Sequence, residues 1–321
     1  MKATAIAHPI QGLIKYHGLK NARFRIPFHD SISVCIDALH TTTTVEATES
    51  LKENLVIING KKAASTDLER VEVVLNKLKD MTDYSGHFKV VSQNSITSGK
   101  GLGFSASGFA ALGTASCAAL NFDIDYISLS ELVRLGAGSA TRSLAGSFAI
   151  WYANKNGKSY AEQIVKPENV DLDMVITPIS SSVRTDEAHS EVLSSPFFKA
   201  RLKYVARIIK TMEKSIKTGD IATIGKLAEE ESLNLHAVTM TGKAHMVLWE
   251  PETVRIIKEV QKIRREGILA WYSIDTGPSV FVNTFAEYVE KVADRLRRLG
   301  FSSIITSKVG GKPFLSGKHL F

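Results

Sequence analysis

The sequence predicts an α+β fold with two lobes, a strand-rich lobe over residues 1–174 and a helix-rich lobe over residues 175–321. Three observations support this fold class. A chain of 321 residues is too long for one minimal core. Strand patterns come first and long amphipathic helices come later, without regular βαβ alternation. The composition, 44% hydrophobic and 23% charged residues, is ordinary for a globular protein.

In the N-terminal lobe, β-branched and partly alternating residues predict strands over 3–16, 30–39, 41–50, 55–63 and 87–94. Segment 66–86 is predicted to be an amphipathic helix, for which Thr66-Asp67 offers an N-cap. Its apolar stripe consists of Val71, Val74, Leu75 and Leu78. Small side chains over 105–120 predict a helix that is buried on several sides. Residues 128–154 then predict a helix, a glycine-rich turn, a short helix and a strand.

The C-terminal lobe is predicted to contain long amphipathic helices between a few strands. The helices cover 195–217, 221–240, 251–267 and 287–300. The strands cover 173–179 and 302–311, together with a strand, a tight turn and a strand over 268–284.

Composition also limits the class of function. The net charge of +7 is spread through helices that also contain Glu, so we expect solvated helix faces and a small anionic substrate, not nucleic acid. No apolar run is long enough to span a membrane, and no signal peptide is expected. Cys35 and Cys117 lie in apolar segments, which predicts buried thiols and a cytoplasmic protein. The nine His are scattered, so no metal site is expected.

The segment Ile96–Gly108, ITSGKGLGFSASG, carries the strongest local signal. A loop rich in Gly and Ser that leads into a helix leaves free N–H groups at the helix N-terminus, which favours a phosphate. Three further segments place polar residues among apolar strands and glycines: LIKYHG, GAGSATRS and IDTGPS. Each one, taken alone, also fits a solvated charge, a salt bridge or a simple turn.

Together these four segments resemble signatures of the diphosphomevalonate decarboxylases, which belong to the galactokinase–homoserine kinase–mevalonate kinase superfamily. They occur in the family's order over nearly the whole chain, and the closing SKVGGKP resembles the family's last glycine turn. The resemblance implies a two-lobed kinase-like fold and a homodimer. It assigns Lys15, Arg142 and Asp275 to catalysis around the carboxylate and C3 oxygen of mevalonate. It assigns Tyr16 and Ser139 to the phosphorylated tail of the substrate, and the loop serines Ser105 and Ser107 to phosphate binding.

Several positions depart from the family pattern. Phe104 replaces a loop Ser, Leu19 replaces a Lys, Ile10 replaces an Asn, and Ala137 replaces a Ser. These changes have two interpretations. They are either drift in an ATP-dependent enzyme, or they mark the loss of the nucleotide site, because a phenyl ring in a phosphate loop prevents close backbone approach. In the second case His17, Lys100 and Arg184 would hold a phosphate that is already on the substrate.

The sequence favours the second interpretation. It predicts a lyase, similar to the mevalonate 3,5-bisphosphate decarboxylase of acid-loving archaea, that converts mevalonate 3,5-bisphosphate to isopentenyl phosphate, CO2 and phosphate without a cofactor. The alternative is an ATP- and Mg-dependent decarboxylase of diphosphomevalonate or phosphomevalonate. A mevalonate-type kinase and a non-catalytic binding protein are the remaining classes. The role of Asp275 is open if no phosphorylation step occurs.

Overall fold

A computed structural model describes residues 1–96, 101–180 and 185–321, and it confirms the α+β class. The strands are β1 Lys2–Ala7, β2 Ile10–Ile14, β3 Leu19–Asn21, β4 Ile26–Pro27, β5 Ser31–Cys35, β6 Thr41–Thr48, β7 Leu55–Ile58, β8 Lys61–Lys62, β9 His87–Asn94, β10 Phe148–Trp151, β11 Ala161–Val165, β12 Asp173–Thr177, β13 Ala270–Ile274, β14 Val280–Thr284, β15 Ile305–Ser307 and β16 Phe314–Ser316. The α-helices are α1 Ser65–Thr82, α2 Phe104–Ala119, α3 Tyr126–Gly136, α4 Ala140–Ala145, α5 Thr185–Glu191, α6 Phe198–Thr218, α7 Ile221–Met240, α8 Pro251–Arg265 and α9 Val289–Arg298.

Three larger sheets organise these elements. The first has the order β16-β1-β6-β9-β7-β8, the second β11-β10-β5-β2 and the third β13-β14-β12-β15. Their pairings are antiparallel except for β7 with β9. Strand β16, near the end of the chain, pairs with β1, so the chain returns to the N-terminal sheet after completing the third one. The lobe boundary after residue 174 stays a prediction.

Helices α6 and α7 join the two halves of the chain. One core cluster contains Leu13 and Ile32 from the second sheet, Met212 from α6, and Phe281 from the third sheet. Helix α7 contacts both β13 and β2. This packing places the ends of β2 and β13, and the residues that follow them, side by side.

Helix α2 begins against β2. Its N-cap, Gly103, has a φ of +74°, and a Cβ there would lie 2.6 Å from the carbonyl oxygen of Ile10. Glycine is required because it adopts positive φ without strain and leaves room for the neighbouring backbone. Two residues earlier, Gly101 packs on Gly277, where a Cβ at Gly277 would lie 3.3 Å from the Cα of Gly101. The start of α2 therefore lies beside the turn between β13 and β14.

Both cysteines are free and buried, as predicted, and burial raises the pKa of each thiol to about 12. Within the described ranges, no helix is long and apolar enough to span a membrane. The predicted N-cap of α1 is wrong, because the helix begins at Ser65 with Ala64 as an N-cap that makes no side-chain hydrogen bond. Asp67 lies in the first turn, where a carboxylate interacts favourably with the helix dipole.

Candidate active site

Asp275 follows β13 and points back at β2. The backbone N–H of Gly12 donates to both carboxylate oxygens of Asp275, at 3.1 Å and 3.1 Å. A Cβ at Gly12 would lie 3.0 Å from Oδ1 of Asp275 and 2.6 Å from Cγ of Lys15, so glycine is needed for this close approach. Burial raises the pKa of Asp275, and Lys15 partly opposes that effect.

Lys15 lies just beyond β2 and is 5% exposed. Its ammonium donates to Glu231 Oε2 at 3.2 Å, to Ser232 Oγ at 3.1 Å and to Ser273 Oγ at 3.0 Å. The distance from Lys15 Nζ to Asp275 Oδ1 is 3.8 Å. The predicted Lys–Asp pair is therefore present, and a glutamate and two serines hold the lysine in place.

Arg142, on α4, is the third of the three predicted catalytic residues, and its side chain lies near the rings of Tyr16 and Trp151. Its guanidinium carbon lies 5.4 Å from the ring centroid of Tyr16 and 6.0 Å from that of Trp151. The side chain is 3% exposed, and its Nε and Nη1 have no hydrogen-bond partner in the described part of the protein. Burial lowers the pKa of Arg142 to about 10, and Tyr16 and Asp275 oppose that effect. Since buried charged donors are almost always paired, this guanidinium is suited to an incoming carboxylate.

Sequence reasoning missed two buried charges behind Lys15. Arg201 on α6 and Glu231 on α7 are both fully buried and form an ion pair of 2.5 Å. Arg201 also donates to Asn234 Oδ1 at 2.6 Å and to the carbonyl oxygen of Lys15 at 2.8 Å. A usable signal was present in the sequence, because Glu231 interrupts the buried stripe of α7 between Ala228 and Leu235. A charged residue on an apolar helix face is seldom buried without a partner.

Beyond Lys15, Tyr16 and His17 turn towards α5 and α7. The Tyr16 ring stacks on His189, with 4.6 Å between centroids, and the His17 ring lies 4.9 Å from the same residue. His17 is fully buried, and its Nε2 lies 3.2 Å from Thr239 Oγ1. Burial, together with the neighbouring His189, lowers the pKa of His17 well below its ordinary value, so this ring is neutral at pH 7.

A pocket opens at the N-terminus of α2, with an empty volume of about 760 Å³ that includes space open to solvent. Its lining includes Asn59, Arg70, Phe104 and Ser105. Phe104 also packs against the core cluster that contains Leu13. The ring forms one wall of the pocket and leaves an open volume beside it.

The remaining predicted site residues have mixed placements. Ser107 is fully buried, and its hydroxyl is bound to Thr41 Oγ1 at 2.7 Å and to the carbonyl oxygen of Phe104 at 3.2 Å, so it serves the fold. Ser139 is the N-cap of α4 and is half-buried. Lys100 and Arg184 lie outside the described residues. Among the residues that are described, no group of three or more His, Cys, Asp and Glu could hold a metal ion.

Two family models match most of the chain. Residues 7–161 match the model described as the diphosphomevalonate decarboxylase-like N-terminal domain. Residues 180–313 match the model described as the mevalonate 5-diphosphate decarboxylase C-terminal domain.

Two curated relatives differ in the substrate they are named for. The phosphomevalonate decarboxylase of Haloferax volcanii is 37% identical over 97% of this chain and 96% of its own. The mevalonate 3,5-bisphosphate decarboxylase of Thermoplasma acidophilum is 26% identical over 88% of this chain and 70% of its own.

Solved structures share the fold over the whole chain. The complex of MDDEF with MVAPP, AMPPCP and magnesium superposes with a TM-score of 0.92 at 30% identity, covering 99% of both chains. The mevalonate diphosphate decarboxylase from Staphylococcus aureus superposes with a TM-score of 0.92 at 26% identity, covering 98% of both chains.

Proposed function

Because the chain belongs to the diphosphomevalonate decarboxylase family, we propose that it converts mevalonate 5-phosphate and ATP to isopentenyl phosphate, CO2, phosphate and ADP. The chain is a carboxy-lyase of the mevalonate pathway that acts on a phosphorylated mevalonate, like its relatives. The observation that carries the proposed chemistry is the buried guanidinium of Arg142, whose Nε and Nη1 have no hydrogen-bond partner among the described residues. This guanidinium interacts electrostatically with Asp275, which lies 3.8 Å from the Lys15 ammonium.

The sequence left two reactions open, an ATP-independent and an ATP-dependent decarboxylation. The pocket beside Phe104 favours the ATP-dependent one. From sequence, Phe104 suggested a closed nucleotide site and therefore a substrate that is already phosphorylated at C3. In the structure the pocket at the start of α2 is open, and Gly101 brings that region against Gly277, two residues after Asp275. This placement supports a nucleotide whose terminal phosphate approaches the group that handles the C3 hydroxyl.

Mevalonate 5-phosphate is the substrate favoured by two observations. The Haloferax relative that covers 97% of this chain is named for phosphomevalonate. Leu19 and Ala137 stand where diphosphate-using members carry a Lys and a Ser, so this site has fewer groups for a second phosphate. Tyr16 and Ser139 are the described candidates for contacts to the 5-phosphate. His17 is fully buried and neutral, so it is not suited to the phosphate contact that the sequence predicted for it. Lys100 and Arg184 stay sequence predictions.

Magnesium would arrive with the nucleotide. Mg²⁺ is held mainly by phosphates and waters and by only one or two protein oxygens. The exposed Ser105 hydroxyl in the pocket wall is the kind of oxygen ligand that fits this arrangement. When bound, the ion would supply charge neutralisation on the nucleotide phosphates.

In the mechanism that follows, Arg142 grips the C1 carboxylate through two N–H groups and fixes its orientation. Asp275 accepts the proton of the C3 hydroxyl as that oxygen bonds to the terminal phosphorus of ATP, while the bond from that phosphorus to the bridging oxygen breaks and ADP leaves. The C3–O bond then breaks and phosphate leaves with the electron pair. The electrons of the C1–C2 bond form the C2=C3 double bond, and C1 leaves as CO2. Lys15 stabilises the negative charge that grows on the departing oxygen.

The test is a substrate panel measured by CO2 release from purified protein. We expect CO2 from mevalonate 5-phosphate only when ATP and magnesium are both present. CO2 from mevalonate 3,5-bisphosphate without ATP, and none from mevalonate 5-phosphate with ATP, would contradict the proposal and establish the ATP-independent reaction. A cytoplasmic homodimer, which the family resemblance implies, stays a proposal, and light scattering at the size-exclusion peak tests the dimer.

A further inference from the structure

The Lys15 ammonium has a complete set of acceptors without Asp275. A lysine ammonium carries three N–H donors, and the three shortest contacts of Lys15 Nζ are to Glu231, Ser232 and Ser273, at 3.0–3.2 Å. Asp275 Oδ1 lies further away, at 3.8 Å. Lys15 is therefore held near Asp275 without occupying the oxygens of Asp275 by direct hydrogen bonds.

Arg201 fixes this arrangement at both ends of the Lys15 residue. One of its nitrogens, Nη2, donates to the backbone carbonyl oxygen of Lys15 and also to Glu231 Oε1. The other carboxylate oxygen of Glu231, Oε2, accepts from the Lys15 ammonium. The backbone and the charged tip of Lys15 are thus tied to one buried ion pair that spans α6 and α7.

We propose that Glu231, anchored by Arg201, is a positioning residue that holds Lys15 beside Asp275 while leaving the Asp275 carboxylate free to take the substrate proton. The inference rests on the proposed function, since it assumes that Asp275 accepts the proton from the C3 hydroxyl.

The physical reason is competition between two carboxylates for one ammonium. Without the Glu231 charge, the nearest carboxylate for Lys15 is that of Asp275, and a direct ion pair would make Asp275 a weaker base. Packing alone does not require this arrangement, because an apolar pair of similar volume is often as stable as a buried ion pair. The ion pair is therefore better explained by the placement of Lys15 than by stability.

Other titratable groups face this network and would respond together with it. They are Asp275, Arg142, Tyr204 on α6, Glu230 and His236 on α7, and His29. Glu231 itself is held ionised, because Arg201 and Lys15 lower its pKa against the effect of burial.

The experiment compares Glu231→Gln and Glu231→Asp with the control Glu229→Gln. Glu229 lies on the same helix and, like Glu231, pairs with an arginine, Arg264, at 2.8 Å. The three hydrogen bonds of the Lys15 ammonium go to other residues. We expect Glu231→Gln to lower kcat at least tenfold with KM within threefold, and to move the acidic limb of kcat/KM to lower pH. We expect Glu229→Gln to leave kcat and the pH profile unchanged.

Glu231→Asp separates position from charge. It keeps the buried negative charge beside Arg201 but draws the carboxylate back by one methylene, so we expect the melting temperature to stay closer to that of the wild type than in Glu231→Gln, while kcat falls at least fivefold. If Glu231→Asp keeps full kcat, or if both variants lose activity only in proportion to the unfolded fraction, with an unmoved pH profile, the positioning role is overturned.

The wild-type protein is assayed beside the variants, with mevalonate 5-phosphate plus ATP and with mevalonate 3,5-bisphosphate. If the wild-type protein turns over neither substrate, the proposed function is overturned together with the role that rests on it. If the wild-type protein turns over a substrate and both variants retain that turnover in full, only the positioning role is overturned.

Discussion

At the residue scale, the informative feature of Arg142 is that part of its guanidinium lacks hydrogen-bond partners among the described residues. It is a buried guanidinium whose Nε and Nη1 have no partner in the described residues, so the free enzyme carries the cost of desolvating it. A substrate carboxylate removes that cost by accepting two parallel hydrogen bonds. Binding at this position therefore favours one orientation of the carboxylate before any bond breaks.

Arg142→Gln is expected to lower kcat/KM by about 10²–10³-fold, the usual cost of removing one preorganised donor to a reacting group. Arg142→Lys should recover only a small part of the loss, because an ammonium cannot form the bidentate pair. Steady-state kinetics on mevalonate 5-phosphate measures both. The control is Arg134→Lys, a buried arginine that already has a partner in Glu131. Equal losses in Arg142→Lys and Arg134→Lys would contradict the role of Arg142.

Asp275 makes a prediction about pH. Its pKa is raised by burial, and it must be ionised to accept a proton, so kcat/KM should fall as the pH falls through that raised pKa. Asp275→Asn should remove most turnover, abolish this acidic limb and leave substrate affinity within a few-fold, as measured by calorimetry. Asp173→Asn, which changes another carboxyl with a raised pKa, is the control. Normal turnover in Asp275→Asn would exclude a catalytic role.

The sequence predicted Lys15, Arg142 and Asp275 as one site because their motifs resemble a family, not because their spacing brings them together. The structure places all three together. The sequence did not predict the pair of Glu231 and Arg201, because the two residues are 30 positions apart and lie on two different helices. Amphipathic spacing shows that a residue is buried and says nothing about which charge it meets across the helix pair.

At the element scale, periodicity predicted helices better than it predicted their ends. The buried residues of α1 are the predicted Val71, Val74, Leu75 and Leu78. Its start was misplaced, because Thr66 and Asp67 lie inside the helix. Strand β16 was missed since three residues, of which two are exposed, carry no pattern, and pairing with β1 alone defines them. Short elements therefore depend on tertiary contacts that the sequence does not display.

The junction of β2 and α2 depends on Gly103. Gly103→Ala places a Cβ 2.6 Å from the carbonyl oxygen of Ile10 at a φ of +74°, so we expect the free energy of unfolding to fall by about 1–3 kcal/mol. The KM for ATP should rise, because the pocket wall moves.

Gly108→Ala is the control within the same helix. A Cβ there meets nothing within 4 Å, so it should be neutral or stabilising by up to about 1 kcal/mol. Urea unfolding measures both variants. Equal stability of Gly103→Ala and Gly108→Ala would show that α2 does not require close contact with β2.

At the scale of the whole molecule, buried neutral histidines should make stability depend on pH. Burial lowers the pKa of His29 to about 4, that of His236 to about 3, and that of His17 well below its ordinary value. Unfolded histidine has a pKa near 6.5, so the unfolded chain takes up protons first as the pH falls. Stability from these groups is therefore fully present above pH 6.5 and is lost at lower pH.

The free energy of unfolding should fall by about 1 kcal/mol for each of these histidines between pH 7.5 and pH 5.5. Urea titrations at several pH values measure this slope, and His236→Asn should reduce it. A free energy of unfolding that stays flat or rises over this interval would mean that these side chains are protonated in the folded protein.

In the proposed reaction, phosphoryl transfer and decarboxylation are coupled at one site. The most direct measurement is the ratio of ADP to CO2 formed from mevalonate 5-phosphate and ATP by the purified wild-type protein. We expect one ADP for each CO2 and no CO2 without ATP. ADP without CO2 would identify a kinase, and CO2 from mevalonate 3,5-bisphosphate together with none from mevalonate 5-phosphate and ATP would identify a lyase that has no need of the pocket beside Phe104. Either result would contradict the account.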